Sequence, residues 1–180
     1  MGFALILLLI SLIGGRITPA FTRNWLMRQG SKEGLPTLPN RFDMAVIGAN
    51  ALALAAWVAE PASTVTAGLL IAAGALQFVR LARWAGLKAL SDPLVFVLHL
   101  SYAWLPAGLI LLGCATLHPF LPVSSAVHAL GAGAMGAMTL AVMTRATRGH
   151  TGCPLEADRA TVLIYILVHA GALLRVVAPL

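Results

Sequence analysis

Acidic residues are scarce in this sequence, and those present avoid its apolar stretches. Six acidic residues stand against twelve lysines and arginines in 180 residues. All six lie in or beside the polar connections: Glu33, Asp43, Glu60, Asp92, Glu156 and Asp158. Because a proton-coupled transporter is expected to bury at least one carboxylate, this distribution counts against such transport, although histidine can substitute for a carboxylate.

Familiar catalytic patterns are missing as well. There is no Ser-His-acid arrangement, no phosphate-binding loop and no pair of carboxylates, so no hydrolase or transferase reaction is assigned. Only two cysteines occur, Cys114 and Cys153, and neither has the Cys-x-x-Cys spacing of a metal site.

Charge of either sign is sparse, and apolar residues dominate the composition. Hydrophobic residues make up 59% of the chain and charged residues 10%, with a mean hydropathy of +0.90, which is too apolar for a soluble domain. The net charge of +6 does not indicate nucleic-acid binding, because the cations lie between apolar runs rather than on one soluble face. The composition predicts a single integral membrane domain over residues 1–180, with the lipid bilayer as its partner.

Long apolar runs without strand-like alternation predict an all-α, polytopic transmembrane helical bundle. The predicted spans are residues 1–13, 44–59, 64–81, 94–112, 127–143 and 160 to the C-terminus. The first is short for a membrane span. Residues 18–41 are predicted to be a polar connection broken by prolines, with Phe21, Trp25 and Leu26 lying in the interface plane.

Lysine and arginine predict the orientation of these spans. Eleven of the twelve follow the first, third or fifth span, and none follows the second or fourth. The positive-inside rule therefore places those three connections in the cytoplasm and both termini outside. Cys114 and Cys153 are then on opposite faces of the bilayer and cannot form a disulfide.

The fifth span is rich in small residues. Gly131, Gly133 and Gly136 form G-x-G-x-x-G, but they lie within the span rather than between a strand and a helix, so they do not predict nucleotide binding. Small residues recur every four positions along one face: Ala129, Gly133, Ala137 and Ala141. Such a face allows close helix packing in lipid, and a flat tetrapyrrole is the less common alternative occupant.

Histidines within apolar spans are the strongest functional signal, because an ionisable group in hydrocarbon is costly unless it has a partner. His99 is expected about 9 Å, and His169 about 15 Å, from the cytoplasmic end of its helix. These depths allow both imidazoles to reach one haem or copper site. The alternative is a neutral imidazole hydrogen-bonded to a neighbouring helix. His128 is expected near the outer surface and His150 near the inner one.

Methionine and arginine add candidate contacts to this site. Met135 and Met138 are three residues apart on one helix, where their sulfurs suit Cu(I), although methionine more often fills gaps in a core. Arg145 and Arg148 share a helix face, where they suit the propionates of a haem or, equally, a lipid phosphate.

Several segments together resemble the NnrS family. They are Gly14-Gly15-Arg16-Ile17-Thr18-Pro19, His99 followed by Tyr102 and Trp104, the stretch from His128 to Met143-Thr144-Arg145 and Gly149-His150-Thr151-Gly152, and Leu174-Arg175-Val176 with Pro179. The resemblance implies a bacterial membrane protein that contains haem and copper and is associated with denitrification and nitrosative stress. His99, His169, His128 and His150 are then the candidate ligands.

The resemblance also implies that this chain is a fragment. Members of the family have about twelve helices, and the chain is similar to the C-terminal half without its last helix. The missing N-terminal half, or a second copy of the chain, is then an expected partner. Two alternatives need no cofactor, namely a small-solute transporter and a membrane scaffold.

Overall fold

The computed structural model describes residues 1–180 as an all-helical bundle with no strand. Six helices are long and apolar enough to cross a membrane, which confirms the predicted class and number of spans. They are α1 (Gly2–Arg28), α2 (Arg41–Ala59), α3 (Thr64–Ala82), α4 (Pro93–Leu117), α5 (Val123–His150) and α6 (Arg159–Val177).

Helix α4 forms the centre of the bundle. It packs along α3 on one side and against α5 on the other, and 61% of the residues in its most apolar 18-residue stretch are buried. In α6 only 11% of the residues in the equivalent stretch are buried, so this helix lies at the edge of the bundle, where it packs against α5. Side chains that must be positioned inside the bundle therefore meet around α4.

Helix α1 extends much further than the sequence predicted. The expected end near residue 13 is wrong, because the helix continues to Arg28 through a π-helical turn at Ile10–Gly14. The predicted interfacial connection is wrong in the same region, since Leu26 is buried together with Thr18 and Thr22. Helical packing against α4 outweighs the breaks suggested by the glycines and by Pro19.

The starts of the helices follow local chemistry. Asn40 and Asp43 form a reciprocal capping box at the start of α2. Asp92 caps α4, whose first residue is Pro93, and Asp158 caps α6. These caps define where the chain enters the bundle on the predicted cytoplasmic side.

The small-residue face of α5 packs inside the bundle, as the sequence predicted. All four of its residues are buried. A side chain at Gly133 would overlap the indole of Trp104 on α4, so glycine permits the close approach of these two helices. The stretch Ala129–Ala137 is π-helical, which widens the helix at this contact.

Candidate functional site

His99 lies on the face of α4 that meets α1. Its Nε2 atom is 2.8 Å from the hydroxyl oxygen of Thr22. That hydroxyl donates its own hydrogen to the carbonyl of Thr18, at 2.8 Å. The Thr22 oxygen must therefore accept from His99, which places the imidazole proton on Nε2 and leaves Nδ1 as an unprotonated lone pair.

The free nitrogen of His99 is enclosed. Nδ1 is buried and has no hydrogen-bond partner, and a Cβ placed on Gly86 would lie only 2.6 Å from it. Gly86 begins a short 3₁₀ turn after α3, and the edge of the Trp84 indole packs on the same imidazole at 6.4 Å between ring centres. The lone pair is chemically suited to bind a metal, but the turn at Gly86 covers it.

His169 on α6 is held by Trp104 of α4. The indole Nε1 donates to His169 Nδ1 at 2.9 Å, and the planes of the two rings lie within 7° of parallel, with their centres 6.5 Å apart. Because Nδ1 accepts this bond, the proton of the neutral imidazole is on Nε2, which is buried without a partner. Ligation through Nε2 would require His169 to change tautomer and lose the bond from Trp104.

The two imidazoles are not brought together at one position. His99 and Trp104 are five residues apart on α4, so their side chains leave the helix about 140° apart. His99 therefore faces α1, whereas His169 meets the opposite side of α4. No group of three or more His, Cys, Asp or Glu residues has the arrangement of a metal site. His99 and His169 contact different neighbours, Thr22 and Trp104, and their role as ligands of one common site stays a prediction.

The remaining histidine and methionine candidates occupy different surroundings. His128 is half-buried near the start of α5, and His150 is exposed at its end. The terminal methyl of Met138 packs over Gly14 beside the ring of Tyr102, and Met135 packs at the edge of the same core. These contacts are those of gap-filling side chains.

The two predicted arginines have separate partners. Arg148 bonds to the carbonyl of Pro154 at 3.2 Å and to the exposed carboxylate of Asp158 at 3.4 Å. Arg145 is buried, with its guanidinium 4.5 Å from the ring centre of Phe21 and its Nη1 atom unpartnered.

Arg145 lines a cavity of about 340 Å³ between α1 and α5. The polar residues that share this lining are Asn24, Arg28 and His150. Because an unpartnered guanidinium nitrogen lies beside further basic groups, the cavity suits an anionic group such as a carboxylate or phosphate.

A buried ion pair between α2 and α3 was not predicted from the sequence. Arg80 Nε bonds to Asp43 Oδ1 at 2.8 Å, and both side chains are almost fully buried. Arg83 approaches the other carboxylate oxygen at 3.7 Å. The expectation that no acidic residue is buried in the bundle is therefore wrong for Asp43. The Asn-x-x-Asp capping box at the start of α2 was the only available sequence signal.

The ion pair extends into a polar network at the centre of the bundle. Arg80 Nη1 donates to the Ser11 carbonyl in the π-helical turn of α1, at 2.8 Å, and to the Tyr102 hydroxyl, at 3.1 Å. The Tyr102 hydroxyl is 2.7 Å from Gln77 Oε1, and Gln77 Nε2 donates to the Ser11 hydroxyl at 2.6 Å. The ion pair and this network together join the four helices α1 to α4 through polar groups whose burial would be costly without these partners.

Comparison with known proteins gives one informative result. No curated protein and no solved structure matches the chain. The family model described as NnrS protein matches residues 1–180, and so covers the whole chain. The match agrees with a bundle of six membrane-crossing helices that carries the motifs described above. The chain therefore belongs to the NnrS family.

Proposed function

We propose that this protein acts in a bacterial inner membrane in the response to nitric oxide and nitrosative stress, as a haem- and copper-containing member of its family. The family match over the whole chain is the observation that carries the proposal. Two imidazoles inside apolar helices support it, because each has one buried nitrogen without a partner.

As arranged, the imidazoles do not fit a shared haem or copper site. His99 presents a lone pair that the Gly86 turn covers, and His169 presents a nitrogen whose proton is fixed by the bond from Trp104. We therefore assign no step of the function to a haem or copper species. His99 and His169 are candidate ligands at two separate positions, each of which requires a local rearrangement.

The cavity beside Arg145 is a better match to one part of a haem. Its unpartnered guanidinium nitrogen would hold a propionate by a charge-assisted hydrogen bond. Arg148 and His150 lie close by in sequence, and His128 is at the other end of the same helix. We retain Arg148, His150 and His128 as weaker candidates for contacts to a haem. Arg148 is already paired with Asp158, His150 is exposed, and His128 lies at the far end of the helix from Arg145.

The decisive experiment is an optical spectrum and a metal analysis of the purified protein. We expect a haem Soret band and bound copper in the wild-type chain, and a lower content of one or both in His99→Ala and in His169→Ala. His118→Ala is the matched control, because His118 is exposed at the end of α4. A colourless, metal-free preparation, or unchanged content in both test variants, would contradict the proposal.

A second candidate function is a small-solute transporter without a cofactor. The buried carboxylate of Asp43 favours it, because membrane transporters place such groups on ion pathways. We expect a proton-coupled transporter in sealed vesicles to dissipate an imposed pH gradient, and Asp43→Asn to reduce the rate. Asp92→Asn, which alters a helix cap instead, is the control. Equal rates with empty vesicles would exclude this candidate.

A further inference from the structure

A cavity of about 580 Å³ lies between α1, α2 and the connection that precedes α2, away from the candidate haem contacts. Three arginines and one aspartate line it: Arg16, Arg23, Arg80 and Asp43. The lining therefore has a net charge of +2. Arg16 and Arg23 are seven residues apart, so they lie on the same face of α1, about 10.5 Å apart along its axis.

The single acidic residue does not neutralise the two arginines of α1. Asp43 is paired with Arg80 and Arg83, and its Oδ2 also accepts from the backbone of Asn40. Neither Arg16 nor Arg23 has an acidic partner within ion-pair distance. The cavity thus holds two guanidinium groups whose charge is not balanced by the protein.

Arg80 presents a further donor to the same cavity. Its Nε atom is bound to Asp43, and its Nη1 atom is bound to Ser11 and Tyr102. The third nitrogen, Nη2, makes no hydrogen bond within the chain, although the side chain is 2% exposed. A rigidly held guanidinium therefore has the two N–H donors of Nη2 left for a ligand.

The remaining walls of the cavity are mostly apolar, with Thr37 as a polar exception, and part of them lies on the outer surface of the bundle. They include Leu12, Ile13 and Met44, whose side chains are about half exposed or more on the outer surface of the bundle. In a membrane these positions contact acyl chains rather than water. A fully soluble anion would gain nothing from these walls, whereas a lipid places its headgroup at the arginines and its chains along them.

We propose that this cavity is a binding site for an anionic phospholipid of the cytoplasmic leaflet, with the headgroup phosphate held by Arg16, Arg23 and the free nitrogen of Arg80. The net charge of +2 favours a headgroup with two phosphates, such as that of cardiolipin, over one with a single phosphate. The side of the membrane follows from the cationic connections, which the positive-inside rule places in the cytoplasm.

Native mass spectrometry of the delipidated 180-residue chain tests the site by titration with cardiolipin, phosphatidylglycerol, phosphatidylethanolamine and inorganic phosphate. We expect cardiolipin to bind most tightly, phosphatidylglycerol less tightly, and phosphatidylethanolamine and then inorganic phosphate most weakly. Arg16→Gln and Arg23→Gln should each weaken cardiolipin binding about fivefold, and the double variant about 25-fold. Arg159→Gln is the matched control, because it removes an exposed arginine from the same side of the membrane.

Three results would overturn the proposal. Equal binding of phosphatidylethanolamine would show that charge does not select the lipid. A loss in Arg159→Gln as large as that in Arg16→Gln would show attraction to net charge instead of a site. Inorganic phosphate that binds as tightly as cardiolipin, with the same dependence on Arg16 and Arg23, would identify a free anion as the occupant.

Discussion

The substitution Asp43→Asn tests the buried ion pair between Asp43 and Arg80, because asparagine has almost the same shape as aspartate but no charge. In Asp43→Asn the charge of Arg80 remains buried, beside Arg83, without a counter-ion. Removing one partner of a buried pair costs about 3–5 kcal/mol. We expect a value near the lower limit, about 3 kcal/mol, because Arg80 keeps its bonds to Ser11 and Tyr102.

The assay is equilibrium unfolding in detergent, followed by helical circular dichroism, for wild type, Asp43→Asn, Arg80→Gln and the double variant. Since Arg80→Gln removes the uncompensated charge, the double variant should be more stable than the sum of the single losses by about 0.5–3 kcal/mol. Asp158→Asn is the control, because Asp158 is exposed and asparagine caps a helix as well as aspartate does. A loss below about 1 kcal/mol in Asp43→Asn, or strictly additive losses, would refute the charge argument.

Three further outcomes are expected. Gly133→Ala should lower the free energy of unfolding by about 1–3 kcal/mol, because the added methyl group overlaps the indole of Trp104. Gly171→Ala is the control, because a methyl group there meets no atom within 4 Å. Equal melting curves for the two variants would contradict this expectation. A membrane-impermeant thiol reagent outside sealed, correctly oriented vesicles should label Cys114 and spare Cys153, and labelling of both would reverse the topology. Hydrogen bonds from the Thr161 hydroxyl and backbone amide hold the pKa of Asp158 below its ordinary value of 3.8. The cap therefore stabilises the first turn of α6 above that pH. The protection factors of its amides, which are exchange rates corrected for the intrinsic effect of pH, should fall only as pH falls through the lower folded-state pKa.

The number and place of the spans were predictable because each span is an apolar run of sufficient length. The end of α1 at Arg28 could not be predicted in the same way. Glycine, proline and arginine near residues 14–19 indicate a break when only local preferences count, but Thr18 and Thr22 are buried against the bundle. Tertiary contacts there outweigh propensity.

The candidate site was predictable only as single residues. A histidine in an apolar run is conspicuous, so His99 and His169 could be singled out. Their partners, Thr22 and Trp104, depend on how each helix is rotated about its axis, and apolar periodicity in a membrane helix hardly specifies this rotation. Asp43 and Arg80 are 37 residues apart at the ends of two spans, and no local pattern connects them.

The π-helical turn of α1 sets a phase difference between the two halves of that helix. The half before it presents Ala4 and Leu7 to the core, and the half after it presents Gly15 to the Arg80 guanidinium and Thr22 to His99. Because a π-helical turn holds one residue more than an α-helical turn, deleting one residue within Ile10–Gly14 would restore an ordinary helix and leave the second half facing almost the same way. The extra residue in this short stretch therefore sets the register in which Gly15 meets Arg80 and Thr22 meets His99. Deleting one residue from the ordinary helix between Gly15 and Thr22 would instead turn Thr22 by about 100° away from His99, so we expect that deletion to be the more damaging of the two.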